Sequence, residues 1–163
     1  MDHDWIDNLG LPKPPLPPDA PDRGERYIAV SGPFWSGLKD DLRSLVDAYN
    51  RHGQTRHQVT VEDADARLLL RGLDQGLDIT FKLAEERIVG RYQRRVRGRH
   101  TKPRFVDLRL EMQRDGLVVL DRRGCPVDDP GRYLMEPFLR SLRSAERPTY
   151  WDSTAGYRPP PRV

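Results

Sequence analysis

Between Arg87 and Arg104 the chain places Arg87, Arg91, Arg94, Arg95, Arg97, Arg99, Lys102 and Arg104, and not one Asp or Glu. Cations at this density suit one kind of chemistry, the capture of phosphates or carboxylates, for which Arg offers a planar fork that meets an oxyanion with two hydrogen bonds at once. The segment carries +8. The other 20 Lys and Arg face all 25 acids and leave the rest of the chain at −5, so that the whole is +3. The field of such a ribbon fades over about 8–10 Å in physiological salt, which confines capture to the ribbon itself.

Strand parity says which of these groups point outward. Ile88, Tyr92 and Val96 fall on one face of an extended segment, and Arg87, Val89, Arg91, Gln93, Arg95 and Arg97 on the other. In the next segment Val106, Leu108, Leu110 and Met112 alternate with Phe105, Asp107, Arg109 and Glu111. A hairpin centred near His100 pairs Tyr92 with Leu108, Gln93 with Asp107 and Arg95 with Phe105, which keeps both apolar faces together. That register sets Asp107 diagonal to Arg91 and Arg95, and Glu111 opposite Val89 and diagonal to Arg87 and Arg91, so ion pairing is expected to neutralise part of the strand. Arg97, Arg99, His100, Lys102 and Arg104 surround Gly98 and Pro103 with no acid nearby in sequence. Arg94 is aimed inward, where it needs a carboxylate or must snorkel to the edge.

The expected partner-binding set is therefore Arg91, Arg95, Arg97, Arg99, His100, Lys102 and Arg104, and an acidic protein surface is the leading partner. Nucleic acid along the same hairpin, with Tyr92 or Phe105 near bases, is the alternative. It lacks support from any RNP motif, zinc spacing, GxxG clamp or helix-turn-helix. A third reading has the sheet curl around a helix, eased by Gly72, Gly76 and Gly90, to leave a cavity for a small apolar ligand.

Other chemistry is thinly represented. His3, His52, His57 and His100 have no second His or Cys at metal-ligand spacing, and GxSxG, Walker, GxGxxG and HExxH motifs are absent. The pairs Asp63 and Asp65, Glu85 and Glu86, and Asp128 and Asp129 sit where turns and helix caps want acids. Cys125 is the only cysteine. Arg122 and Arg123 are near it in sequence, but a lone thiol without a placed histidine is a poor nucleophile. The expectation is a non-enzymatic interaction module or accessory subunit without cofactor or metal. One cysteine, apolar runs of at most four residues and an acidic start, MDHDWIDNLG, are read as cytoplasmic, with neither export nor membrane insertion.

The elements that must position the ribbon follow from periodicity. Trp35, Leu38, Leu42, Leu45, Val46 and Tyr49 form a helical stripe over Phe34 to His52, with Ser31 or Ser36 as cap, Pro33 in the first turn and Gly53 as stop. Arg43 falls on the opposite side of that helix. From His57 to Asp121 the period is two, and turn residues at Asp63–Asp65, Gly72–Gly76, Ala84–Glu86 and Asp115–Gly116 divide it into about six antiparallel strands. Asp129 and Pro130 then open a second helix with Tyr133, Leu134, Phe138, Leu139 and Leu142 inward, and Pro137 is expected to kink or split it. The predicted fold is α+β: a two-layer sandwich of a meander sheet with both helices on one face. Residues 27–146 are the domain. Residues 1–26 form an acidic, Pro-rich tail in which LPKPPLPPDAP favours polyproline II, and residues 147–163 an aromatic, Pro-rich tail.

Overall fold

A computed structural model describes residues 22–52 and 58–146. Residues 1–21 of the N-terminal tail (His3 included), the C-terminal tail, Gly53 and His57 lie outside the described residues, while 23–26 belong to the first helix. The chain runs α1 (Arg23–His52), β1 (Thr60–Ala64), β2 (Arg67–Gly72), β3 (Gln75–Lys82), β4 (Arg87–Val96), β5 (Arg99–His100), β6 (Arg104–Gln113), β7 (Gly116–Leu120) and α2 (Pro130–Glu146). All pairings are antiparallel in the meander order β1-β2-β3-β4-β6-β7, with the two-residue β5 attached to β4. This is the expected α+β fold of a sheet with an N-terminal and a C-terminal helix.

The core follows the two periods. Alternate residues of the strands, among them Leu68, Leu70, Leu77, Ile79, Ile88, Leu108 and Leu110, are fully buried. From α1 come Tyr27, Ser31, Trp35, Leu38, Leu42, Val46 and Tyr49, spaced three or four apart. From α2 come Leu134, Met135, Phe138 and Leu142. Trp35 stacks on Phe81 with centroids 5.5 Å apart, and Phe138 meets Tyr92 edge-on at 6.4 Å. Gly90 lets α2 approach the sheet, since a Cβ there would lie 3.4 Å from a Leu134 methyl.

Both helices depart from the expectation at a proline. The first starts at Arg23, eleven residues before Phe34, and neither Ser31 nor Ser36 caps it. Asp22 does so, its Oδ1 accepting the Gly24 N–H at 3.3 Å. Pro33 lies inside the helix on its exposed side, where water can hydrate the carbonyl that loses its donor, while Tyr27 and Ser31 carry the buried stripe back by two turns. Pro137 lies inside α2, which continues through it as one helix anchored by Phe138 and Leu142. Asp129 caps that helix as expected, Oδ1 accepting the Arg132 N–H at 3.1 Å. Tyr133, expected inward, is 39% exposed, and Met135 takes a core position instead.

Polar contacts fix α1 against the sheet at its start and along its middle. Arg26 donates to the Gln113 and Arg114 carbonyls at 3.0 Å each, and the Tyr27 hydroxyl to the Leu83 carbonyl at 3.1 Å. Burial, reinforced by the Glu86 carboxylate, raises the Tyr27 pKa above the ordinary tyrosine value. Trp35 Nε1 donates to the Asp65 carbonyl at 2.7 Å, and Lys39 and Arg43 both pair with Asp63. Arg43 is therefore a tether to β1, not a group on the far side of the helix.

Candidate functional site

The ribbon is the β4–β6 hairpin, built differently from the symmetrical loop the sequence suggests. The chain turns at Arg97 and Gly98, both at positive φ (50° and 75°), as a two-residue hairpin turn demands. Arg95 pairs with His100 and Val96 with Arg99, and the Thr101 N–H donates to the Arg94 carbonyl at 2.9 Å. Beyond this the partner strand gains one residue. Tyr92 faces Arg104, so Gln93 stands opposite Lys102 and Pro103, and its Nε2 holds the bulge by donating to the Thr101 carbonyl at 2.8 Å. Pro103 sits where the ladder asks for no donor. A Cβ on Gly98 would meet nothing within 4 Å, so Gly98→Ala tests the backbone alone. It is expected to lower stability by about 1 kcal/mol in urea denaturation, whereas an unchanged midpoint would show that the turn is not held in this form.

This register differs from the expected one. Ile88 pairs with Leu108, Val89 with Asp107, Arg91 with Phe105 and Tyr92 with Arg104, a slip of four residues along β6. An even slip leaves every side chain on its expected face, which is why parity could not detect it. It moves the acids, however. Asp107 takes both prongs of Arg87, Nε–Oδ1 at 3.1 Å and Nη2–Oδ2, and is no longer beside Arg95. Glu111 pairs across to Val118 on β7 and lies 3.7 Å from Arg109.

The cations of the sheet fall into two sets, paired and unpaired, although Arg71 with Glu62 lies level with Gln93 and Asp78 stands across from Arg91. On β2 and β3, Arg67 pairs with Asp78, Arg71 with Glu62 and Lys82 with Glu85. On β4 and β6, Arg87 pairs with Asp107, and Arg109 with Glu111. At the hairpin end Arg91, Arg94, Arg95, Arg97, Arg99, Lys102 and Arg104 have no carboxylate within ion-pair distance among the described residues, and all are exposed. Arg91 reaches only Gln93 Oε1 at 3.3 Å, and Arg95 only His100 Nε2 at 3.4 Å. The seven residues expected to bind a partner thus lie together on the hairpin. Arg94, read as aimed inward, where it needs a carboxylate or must snorkel to the edge, is exposed and lies on the helix side without a carboxylate partner among the described residues, beside Val96 at 39% exposure.

The register by itself separates two cationic faces. Arg91, Arg95 and His100 share the open face of the sheet with Phe105, which is 53% exposed. Arg94, Arg99 and Arg104 lie on the helix side. There a broad open groove of about 1190 Å³ runs between the hairpin and α2, lined by Arg94, Lys102, Arg104, Arg122, Tyr133 and Pro137. Its far wall is the α2 face that carries Tyr133, Pro137 and Ser141, and its inner end is closed by buried Tyr92. The Tyr92 hydroxyl hydrogen-bonds Gln75 Oε1 at 2.9 Å and Ser141 Oγ at 2.8 Å. The two acids of the groove are engaged, Asp107 by Arg87 and Glu136 by Arg140 at 2.8 Å. Sequence reasoning missed Arg122, Tyr133 and Pro137 as surface partners of the hairpin. Nothing local marks them, because only the docking of α2 brings them there.

Comparison of the chain with family models, with curated proteins and with solved structures found no match. The geometry of the site therefore carries the functional argument alone. Among the described residues no group of three His, Cys, Asp or Glu is placed to hold a metal ion, and no helix is long and apolar enough to cross a membrane. Cys125 is exposed in a turn organised by Asp121, whose Oδ1 accepts the Arg123 and Cys125 N–H groups at 2.8 and 2.9 Å.

Proposed function

We propose that the protein is a non-enzymatic interaction module, an assembly or accessory subunit that docks an acidic protein partner through the β4–β6 hairpin. The observation that supports this reading is the division of the sheet's cations. Arg67, Arg71, Lys82, Arg87 and Arg109 are answered by carboxylates, whereas the cations from Arg91 to Arg104 have none within ion-pair distance among the described residues. An exposed, uncompensated set of guanidinium groups gains little for the fold and raises the local potential, so it is suited to steering and holding an anionic partner. Carboxylates on a protein surface meet Arg forks with paired hydrogen bonds. The mixed surroundings, with Glu136 and Asp107 bordering the groove and a net acidic body behind, disfavour a long polyanion more than a compact acidic patch.

Nucleic acid is the second reading. It is favoured by exposed Phe105, which lies directly across from Arg91 on the open face and offers a base a surface to stack on. Fluorescence anisotropy of a labelled Glu-rich peptide and of short single- and double-stranded oligonucleotides, at low and physiological salt, separates the two. Peptide binding that survives physiological salt, with oligonucleotide binding lost there, is the expected result. Oligonucleotide binding that outlasts peptide binding, with a salt slope falling by about one for each hairpin cation replaced, would move the assignment to nucleic acid.

A further inference from the structure

We propose that the groove between the hairpin and α2 is a docking site for the chain's own N-terminal segment, Asp2 to Leu11, which competes there with outside partners. This rests on the reading of the hairpin as a carboxylate-binding surface. The groove presents Arg94, Lys102, Arg104 and Arg122, none with a carboxylate partner among the described residues, around a strip formed by Val106, Tyr133 and Pro137. An occupant that satisfies both features carries acids interspersed with aromatic and aliphatic side chains. The N-terminal segment has that make-up: Asp2, Asp4 and Asp7 alternate with Trp5, Ile6 and Leu9, and no Lys or Arg occurs before Lys13. Three carboxylates against four free cations is close to charge balance, and Trp5 beside Tyr133 and the guanidinium groups adds stacking and cation–π attraction.

The intervening chain has the length to reach. The contacts of Arg26 with the Gln113 and Arg114 carbonyls, and of Tyr27 with the Leu83 carbonyl, fix the start of α1 at the end of the sheet remote from the hairpin. From Gln113 back to Arg104, β6 covers roughly 30 Å at about 3.4 Å per residue. The eleven residues from Leu11 to Pro21 can span at most roughly 35–40 Å, which is enough to pass a strand of that length. Covalent linkage within that reach keeps the effective concentration of the acidic segment at the groove high.

The test uses the full chain and its single native thiol. Cys125 is exposed in the loop that contributes Arg122 to the groove. A nitroxide on Cys125 is expected to broaden the amide NMR signals of residues 2–9 at low salt, and the combined variant Asp2→Asn, Asp4→Asn, Asp7→Asn is expected to recover them. The same variant is expected to bind a Glu-rich peptide several-fold more tightly than the natural chain, because the competing carboxylates are gone. Equal broadening in both chains, or none in either, overturns self-docking. In that case peptide binding by the variant leaves the hairpin reading intact, and its absence removes that reading as well.

Discussion

Phe138→Ala is expected to lower the free energy of unfolding by about 3–5 kcal/mol, the range for emptying a fully buried aromatic site. Phe138 has no solvent exposure, lies edge-on to Tyr92, and anchors the last turns of α2 directly after Pro137. Its loss leaves a cavity and also removes the packing that lets the helix continue past a proline. Stability of a small domain is typically about 5–15 kcal/mol, so the variant should retain a cooperative transition at a much lower denaturant midpoint. A midpoint within experimental error of the natural chain would mean that α2 is not docked on β3 and β4, and the groove beside it would lose one of its walls.

Leu42→Ala tests the other helix. Leu42 is also fully buried, at the centre of the α1 stripe, and a loss of about 2–5 kcal/mol is expected in chemical denaturation. Two neighbours provide the scale. Ser44 is exposed and Ser44→Ala should change stability by less than about 0.5 kcal/mol. Arg43 pairs with exposed Asp40 and half-buried Asp63, and Arg43→Ala should fall between the two, at no more than about 1 kcal/mol. Equal midpoints for the Leu42 and Ser44 variants would contradict the docking of α1.

What the sequence disclosed and what it withheld divide along physical lines. The stripe from Trp35 to Tyr49 and the alternation from Leu68 to Met112 are legible because burial imposes a period of 3.6 or 2 on the chain itself. The start of α1 is hidden because Ser31-Gly32-Pro33 has the composition of a breaker. Only tertiary packing shows that Tyr27 and Ser31 continue the buried face and that Pro33 spends its missing donor on the solvent side. Pro137 is the same case with Phe138 as its anchor.

The hairpin shows the limit most clearly. Parity assigns faces correctly for any even slip, so it could place Arg91 and Arg95 outward but could not say which acids stand beside them. Register is decided by the Arg97-Gly98 turn and the bulge at Lys102 and Pro103, where Pro103 reads as loop although the ladder resumes directly after it. The membership of the basic site was therefore visible in composition. So was the lack of a nearby acid around Arg97, Arg99, Lys102 and Arg104, whereas the absence of an ion pair at Arg91 and Arg95 was not. Arg122 and Tyr133 were invisible as site residues, since they reach the hairpin through the placement of β7 and α2.

The most direct test of the proposed role compares two sets of three substitutions that remove the same charge from the same sheet. One set, Arg95→Ala, Arg97→Ala and Arg99→Ala, takes cations without carboxylate partners at the hairpin end; the other, Arg67→Ala, Arg87→Ala and Arg109→Ala, takes cations paired with Asp78, Asp107 and Glu111. With affinity for a labelled Glu-rich peptide as the readout at fixed ionic strength, the first set should lose tenfold or more, about 1.4 kcal/mol or greater. The second set should stay within about threefold of the natural chain, as expected where long-range charge alone is changed. Equal losses from the two sets would contradict the account, because binding would then follow net charge and not the uncompensated hairpin.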